Sequence, residues 1–411
     1  MVWQSPFQKK LFLKIVLHFR ACGSIISRKS FETGGIPTET ASQKGILVDF
    51  LKKNAVMFIA LVAAIVTAII VPPDREYLGY FDCKTLSCLF CVLAVVCALR
   101  NIRFFYLLAH QVVRMFKNVR MCVMALLYIT FIGSMLIAND MALLTFLPLG
   151  YLVLESTGEQ KYMAKTFILQ NIAANLGGML TPFGNPQNLY LYSKFSIPDG
   201  EFIRIMAPSF LLSIAMITLC CIIFIKSEPL EIAEEKISLP PVRTTIYLLL
   251  FALSIIIVFR VIPYYVGLIA VPAVLLILDR RALAKVDYPL LLTFVFFFIF
   301  AGNMARIEPV RAFFSTLLSK NTLIFSALSC QCISNVPSAI LLSQFTENYR
   351  QLLIGVNIGG TGTIIASLAS LITFREFTKQ RKGEAGKYLL EFSAFNFTFL
   401  IILLLFNTFI G

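Results

Sequence analysis

The sequence predicts an all-α polytopic membrane protein with two inverted repeats, two re-entrant helical hairpins, broken helices and about nine spans. Of its 411 residues, 58% are hydrophobic and only 14% are charged. Soluble domains are about 45–50% apolar and about 25% charged. Asparagine, glycine and proline interrupt two apolar stretches in the same order. Interrupted spans at matching places in two halves are typical of secondary transporters.

The first half is expected to follow a polar and amphipathic N-terminal extension, residues 1–50. Its apolar segment, residues 11–19, contains Lys14 and is too short to cross a bilayer. The first repeat is predicted at residues 51–226. Its elements are expected to be spans at 55–72, 85–100 and 206–226, an amphipathic stretch at 101–120, a hairpin at 119–155 and a broken helix at 163–191.

An acidic, proline-containing segment at residues 227–243 is predicted to be a cytoplasmic linker. The second repeat is predicted at residues 244–411. Its elements are expected to be spans at 244–259, 261–278, 287–302 and 388–410, an amphipathic stretch at 303–320, a hairpin at 321–346 and a broken helix at 351–373. The first half has no counterpart of the span at 244–259, so the predicted symmetry is incomplete.

Positive charge indicates how the chain is oriented. The net charge is +14, and many Lys and Arg residues fall in the short loops at 279–287 and 374–387. The positive-inside rule places these loops, and the N-terminus, in the cytoplasm. The two hairpins then enter from opposite sides of an inner, or plasma, membrane. Because orientation explains the charge, no nucleic-acid partner is expected; the lipid bilayer is.

Two motifs occur twice along the chain. Asn139 corresponds to Asn335, and Thr181 corresponds to Thr363. Asn-x-Gly-Gly occurs at 175–178 and again at 357–360. An ionisable residue such as Asp140 costs roughly 2.5–3.5 kcal/mol at the centre of a membrane helix. Polar groups and helix breaks at such depth are tolerated where they line a cavity or a binding site.

These residues predict a binding site near the middle of the membrane. Freed carbonyls and amide oxygens suit a hard cation such as sodium, and half-helix N-termini suit an anion. The predicted substrate-binding residues are Asn139, Asp140, Thr181, Asn185, Ser334, Asn335 and Thr363. The predicted sodium-binding residues are Asn139, Gly177, Gly178, Asn335, Gly359 and Gly360. The predicted helix-break residues are Asn175, Pro182, Pro186, Asn188, Asn357 and Pro337.

Each of these assignments has a simpler alternative. The paired glycines could only permit close helix packing. Asp140 could form a structural ion pair with a lysine, or it could ligate a cation or carry a proton. Gln187 and Asn188 could cap the second half of a broken helix.

The sequence does not favour an enzyme. Only two histidines, His18 and His110, are present, and both lie in basic amphipathic stretches. The ten cysteines lie in apolar stretches without partner histidines, so neither a zinc site nor a disulfide framework is predicted. The GxSxG motif of hydrolases is absent. No cofactor is expected beyond sodium or a proton as coupling ion. An ion channel would require a continuous pore, whereas the sequence indicates two separate half-sites.

The motifs ANDMALLTFLPL, NLGGMLTPFGNPQNLYLYS, SNVPSAILLSQF and IGVNIGGTGTIIASLASL resemble the ion transporter superfamily. It includes divalent-anion:sodium symporters, citrate transporters and arsenite permeases, and the resemblance to citrate-transporter-like permeases covers residues 50–411. It implies an ion-coupled transporter of a small anion, with an organic carboxylate as the leading class. It also implies a homodimer, inverted repeats and elevator-like alternating access.

In sodium–dicarboxylate symporters of this superfamily, Ser-Asn-Thr at each hairpin tip binds sodium and a substrate carboxylate. Asn139 and Asn335 match the tip asparagines. Asp140 and Val336 replace the two threonines, and Ala138 replaces the first serine. Asp140 resembles the arsenite-permease version. An arsenite or other oxyanion permease, or a sodium/proton antiporter, is therefore the alternative within the superfamily.

Overall fold

The computed structural model describes residues 54–229, 239–381 and 383–410. Within these ranges the chain is helical and contains no strand; an isolated bridge joins Asn118 and Pro229. The predicted extension at 1–50 and the middle of the predicted linker lie outside the described residues. The helices below belong to the compact unit at 56–411.

The helices of the first half are α1 (Ala55–Ile70), α2 (Cys83–Asn101), α3 (Phe104–Arg114), α4 (Val119–Ile137), α5 (Asn139–Ser156), α6 (Met163–Gly177), α7 (Pro186–Lys194) and α8 (Asp199–Phe224). Polar side chains begin two of them. Asp82 accepts a hydrogen bond from the Thr85 amide before α2, and Asn118 accepts one from the Arg120 amide before α4. These caps satisfy amides that have no partner inside the helix.

The helices of the second half are α9 (Pro241–Val258), α10 (Tyr264–Leu278), α11 (Arg280–Ala284), α12 (Tyr288–Arg306), α13 (Glu308–Lys320), α14 (Thr322–Ile333), α15 (Asn335–Leu342), α16 (Tyr349–Ile358), α17 (Leu368–Gln380) and α18 (Ala385–Ile410). Asn321 caps α14 as Asn118 caps α4. The order from α14 to α18 therefore repeats the order from α4 to α8.

Six helices of the described ranges are long and apolar enough to cross a membrane: α2, α4, α8, α9, α12 and α18. Helices α1, α10 and α14 are shorter but also apolar. Helix α2 is the most enclosed of the six. Of its most apolar 18-residue stretch, 72% is buried inside the protein, whereas the value is 28% in each of α8, α9 and α18. An apolar helix with so much exposed surface needs lipid around it. The chain is therefore an all-α polytopic membrane protein.

Each predicted hairpin is a pair of helices joined by one residue. Ala138 joins α4 to α5, and Ser334 joins α14 to α15. Each predicted broken helix is a pair of shorter helices, α6 with α7 and α16 with α17. The first break covers residues 178–185 and contains a 3₁₀ turn, Gly178–Leu180. The second covers residues 359–367 and is longer than the stretch 357–363 suggested by the motif alone.

The two halves interlock through the second parts of the broken helices. Helix α7 packs against α15 and α16 of the other half, and α17 packs against α5 and α6. Helix α8 packs against α18. Each broken helix therefore begins among its own repeat and ends among the other, which brings the two breaks close together.

Candidate functional site

The two hairpin tips share an unusual backbone conformation. Ala138 has φ 67° and ψ 149°, and Ser334 has φ 74° and ψ 159°. Residues with a Cβ atom rarely occupy this region, at a cost of about 1–3 kcal/mol. The conformation reverses the chain within one residue, and in both tips the next residue is the predicted asparagine. The repeat seen in the motifs therefore extends to the backbone.

Both tip asparagines are nearly buried, Asn139 at 3% and Asn335 at 4% exposure. The Oδ1 atom of each accepts a hydrogen bond from the next backbone amide, 2.9 Å away in both tips. Asn139 Nδ2 donates to Asn175 Oδ1 at 3.1 Å. The backbone amide of Asn335 donates to the Ala366 carbonyl at 2.9 Å. The first tip thus contacts α6, and the second contacts the break before α17.

Side-chain hydrogen bonds link each break to a residue of the opposite half. Asn185, which precedes α7, donates from Nδ2 to Asn357 Oδ1 at 3.2 Å. Ser367, which precedes α17, donates from Oγ to Asn175 Oδ1 at 2.8 Å. Asn185 and Ser367 occupy equivalent positions in the repeats, as do Asn175 and Asn357. The site is therefore built reciprocally from both halves.

Asn175 is where residues from the first tip and from both breaks meet. Its Oδ1 accepts from both Asn139 and Ser367, and its carbonyl accepts from Asn185 Nδ2 at 3.3 Å. Asn335 Nδ2 lies near Gly360, where an added Cβ would be 3.0 Å from it and 3.7 Å from Asn175 Oδ1. We call this set the amide cluster: Asn139, Asn175, Asn185, Asn335 and Asn357.

A polar chain continues from the amide cluster toward α18. Asn175 Nδ2 donates to the Asn171 carbonyl at 3.2 Å, and Asn171 Nδ2 lies 3.3 Å from Ser370 Oγ and 3.4 Å from Asn396 Oδ1. Neither Ser370 nor Asn396 is among the predicted site residues. Asn396 could have been noticed in the sequence as a single amide side chain inside an apolar span. Such a group needs a hydrogen-bond partner when it is buried.

The two predicted threonines contact the hairpins. Thr181 Oγ1 donates to the Met135 carbonyl at 2.7 Å, and Thr363 Oγ1 donates to the Gln331 carbonyl at 3.1 Å. Both carbonyls lie three residues before a tip. The threonines therefore tie each break to the last turn of its own hairpin, and the hydroxyls are engaged there rather than in the amide cluster.

The predicted glycines lie where other groups approach closely. A Cβ at Gly177 would lie 2.2 Å from the Phe131 carbonyl oxygen, and one at Gly178 would lie 2.3 Å from Asn185 Oδ1. A Cβ at Gly359 would lie 2.9 Å from the Ala327 Cα of α14. Close packing, the simpler alternative, therefore accounts for these three glycines as residues.

The carbonyls of the breaks accept hydrogen bonds from side-chain amides. Asn188 Nδ2 lies 3.1 Å from the Gly178 carbonyl and 3.2 Å from that of Met179. Gln331 Nε2 lies 2.8 Å from the Gly359 carbonyl. Gln331 was absent from the predicted site, because the matching residue of the first hairpin is Met135 and the repeat gave no signal there. Pro186 begins α7, and Pro337 lies in the first turn of α15, where no amide donor is needed.

Asp140 is the one acidic residue at a tip. It lies in the first turn of α5. Its Oδ1 is buried and has no hydrogen-bond partner among the residues that the structure describes. Arg100 of α2 reaches the same end of α5, where its Nη1 lies 4.0 Å from Met141 Sδ. In the described ranges, no group of three or more His, Cys, Asp or Glu residues is arranged to hold a metal ion.

The sequence of this chain is similar to those of known membrane proteins. Residues 43–351 match the CitMHS family, described as citrate transporter. The chain is 32% identical over 323 residues to the "Uncharacterized transporter MJ0456" of Methanocaldococcus jannaschii, covering 78% of this chain and 88% of that protein. It is 29% identical over 288 residues to the "Inner membrane protein YbiR" of Escherichia coli, covering 68% of this chain and 75% of that protein. Because the match covers most of the chain, this protein belongs to the CitMHS citrate transporter family.

Proposed function

We propose that the protein is an ion-coupled secondary active transporter of a small anion, with an organic carboxylate such as citrate or a dicarboxylate as the leading substrate class. The observation that carries the proposal is the amide cluster, in which two hairpin tips and two helix breaks from opposite halves converge. Broken helices at such a junction expose helix termini and polar groups that bind substrate and coupling ion in transporters. Family membership supports the same class.

The tips are the proposed substrate contacts. Asn139 and Asn335 each keep an amide next to a helix N-terminus, since α5 and α15 begin at these residues. A helix N-terminus favours a negative group because of its dipole, which acts at both tips although the backbone amides of Asp140 and Val336 are already bonded to the tip asparagines. Two such termini, from α5 and α15, suit an anion held between the hairpins. The coupling ion is proposed to be sodium or a proton.

Movement is proposed to be elevator-like, in a homodimer of the inner membrane with the N-terminus in the cytoplasm. The hairpins and broken helices would move together, because Thr181 and Thr363 bond each break to its hairpin. Inverted repeats would let the same site open first to one side and then to the other. Helices outside this group would remain as the scaffold.

A second candidate is an arsenite or other oxyanion permease, favoured by Asp140. A carboxylate beside Asn139 disfavours a free anion at the first tip by charge repulsion, whereas arsenite at neutral pH is the uncharged acid As(OH)3, and another oxyanion would have to enter with a proton or a cation. Such a carboxylate suits a substrate that is neutral or accompanied by a cation. The two candidates therefore differ in the charge expected beside the first tip.

Uptake into proteoliposomes tests these candidates. Purified protein would be given citrate, succinate, sulfate or arsenite under an inward sodium gradient, an inward proton gradient or neither. Gradient-driven, saturable uptake of a carboxylate is the expected result. Uptake of arsenite alone would favour the second candidate, single-channel currents would favour a channel, and no uptake of any of the four would contradict the carboxylate proposal.

Alanine variants of the tips test the site itself. Asn139→Ala and Asn335→Ala are each expected to reduce uptake by more than about tenfold, because a lost charge-assisted hydrogen bond is worth about 1.5–3 kcal/mol. Asn407→Ala is the control, because Asn407 bonds Ser209 and the Leu403 carbonyl, far along α18. Normal uptake by both tip variants, with normal protein levels, would show that substrate binds elsewhere.

A further inference from the structure

One side chain of the second hairpin hydrogen-bonds the backbone carbonyls of the second break. Gln331 lies in the last turn of α14, and its Nε2 lies 2.8 Å from the Gly359 carbonyl, 3.0 Å from that of Thr361 and 3.1 Å from that of Ala327. Its Oε1 accepts a hydrogen bond from the Thr363 amide at 2.8 Å. This bond fixes which end of the amide faces the carbonyls.

The carbonyls of the first break are also hydrogen-bonded by one side chain, which comes from the helix that follows the break. Asn188, in the first turn of α7, is fully buried. Its Nδ2 lies 3.1 Å from the Gly178 carbonyl and 3.2 Å from those of Met179 and Thr181. Its Oδ1 accepts from Asn357 Nδ2 at 2.6 Å, which again fixes the direction of the amide.

The first break thus presents three carbonyl oxygens to the Asn188 nitrogen. The second break presents two, those of Gly359 and Thr361, to the Gln331 nitrogen, whose third contact, Ala327, lies within α14. Carbonyls of unwound helices are the groups with which transporters of this architecture bind sodium. All six distances lie in the range of ordinary N–H···O hydrogen bonds. An amide donor carries partial positive charge, so it satisfies the same oxygens that a cation would.

The surrounding chain fits the Gln331 side chain closely. Gly362 has φ 116°, and a Cβ there would lie 2.2 Å from Gln331 Oε1. Only glycine meets both requirements. Met135 occupies the matching position of the first hairpin and has no donor, and in that half Asn188 supplies the amide instead. Two residues at unrelated positions therefore perform the same task.

We propose that the side-chain amides of Gln331 and Asn188 occupy the two sets of break carbonyls in place of a cation, so that sodium does not bind at either break. This inference builds on the proposed transport function and narrows its coupling ion. It places Gln331 and Asn188 as residues that decide ion specificity. It also removes two of the six predicted sodium-binding residues, Gly178 and Gly359.

Sodium binding to the purified full-length protein tests this inference without any transported substrate. The midpoint of thermal unfolding would be compared in sodium, potassium and choline chloride at equal ionic strength, together with equilibrium binding of radioactive sodium. We expect the same midpoint in all three salts and no saturable sodium binding. A rise of the midpoint specific to sodium, or saturable binding, would overturn the proposal.

Two size-matched variants test the amides themselves. Gln331→Met and Asn188→Leu keep the volume but remove the donor, and each is expected to lower the midpoint by several degrees. Gln344→Met is the matched control, because Gln344 bonds Tyr190 and the Ile340 carbonyl instead of a break. Midpoints of both variants equal to that of the control would also overturn the proposal. If a variant fails to fold, the sodium measurement on the unaltered protein still decides. Absent uptake of every substrate would contradict the proposed function and leave the sodium result standing.

Discussion

At the scale of single residues, Ala138 and Ser334 each carry a Cβ atom in a backbone region where glycine is usual. Nothing in the motif alignment indicated this strain, because alanine and serine are common in membrane helices. The strain fixes the direction in which the following asparagine leaves the tip. It is therefore a cost borne at the place where the proposed substrate contacts lie.

Glycine at the first tip should relieve that strain. Ala138→Gly is expected to stabilise the protein by about 1 kcal/mol, since strain relief of about 1–3 kcal/mol outweighs the entropy cost of glycine. Ala142→Gly is the control, because Ala142 is buried within α5 and should lose stability. Equilibrium unfolding in mixed micelles measures both. Destabilisation of equal size in the two variants would show that the tip is unstrained.

The paired glycines make a second prediction. Gly177→Ala should destabilise the protein by about 1–3 kcal/mol or more, because the new methyl group would meet the backbone of α4, which cannot rotate away. Gly200→Ala in α8 is the control, since no atom lies within 4 Å of its added Cβ. It should be neutral or slightly stabilising. Unfolding of Gly177→Ala indistinguishable from Gly200→Ala would contradict the close approach of α4 and α6.

The sequence predicted which polar residues lie close together better than it predicted their bonding partners. Asn139, Asn175, Asn335 and Asn357 do lie together, because an amide in an apolar span must find a polar partner. Thr181 and Thr363 contact hairpin carbonyls, which no spacing along the chain reveals. Asn185 bonds Asn357 across 172 positions of sequence. Such pairings are decided by packing between helices, which local pattern does not contain.

At the scale of the helices, the crosswise side-chain hydrogen bonds make each broken helix depend on the other. Asn185 stands before α7 and bonds a residue at the end of α16, while Ser367 stands before α17 and bonds a residue near the end of α6. Hairpins and breaks could be predicted because Asn, Gly and Pro are visible in an apolar background. The length of the second break was underestimated, since Ile364–Ala366, which lie between the Thr363 of the motif and Ser367, are apolar.

A double-mutant cycle measures this dependence. Asn185→Ala and Asn357→Ala are expected to couple by about 1 kcal/mol, within the range of 0.5–3 kcal/mol for residues in contact. Pairing Asn185→Ala with Asn407→Ala is the control cycle, and its coupling should stay below about 0.5 kcal/mol. Additive effects in both cycles would show that Asn185 and Asn357 stabilise the protein independently of each other.

At the scale of the whole molecule, inversion of the two repeats stays a prediction that labelling can test. Gly200 and Gly386 lie at equivalent places, near the starts of α8 and α18. No atom lies within 4 Å of a Cβ added at either glycine. Cysteines placed there should face opposite sides of the membrane if the repeats are inverted, and the positive-inside rule puts position 386 inside.

The measurement uses a membrane-impermeant maleimide on intact and permeabilised cells. Gly200→Cys should react in intact cells, and Gly386→Cys only after permeabilisation. Cys22, Cys83 and Cys332 would first be replaced by serine, and that background without new cysteines is the control. Labelling of both positions from the same side would contradict inversion, and the reverse pattern would contradict only the orientation.

The hydrogen bonds between the two breaks also have a consequence for biosynthesis. Asn185 emerges from the ribosome 172 residues before its partner Asn357. At about 5–20 residues per second, the delay is about 9–34 s. During that time Asn185 can bond the Asn175 carbonyl of its own repeat but not Asn357. The bond between the two breaks therefore forms only after the ribosome has delivered most of the second repeat.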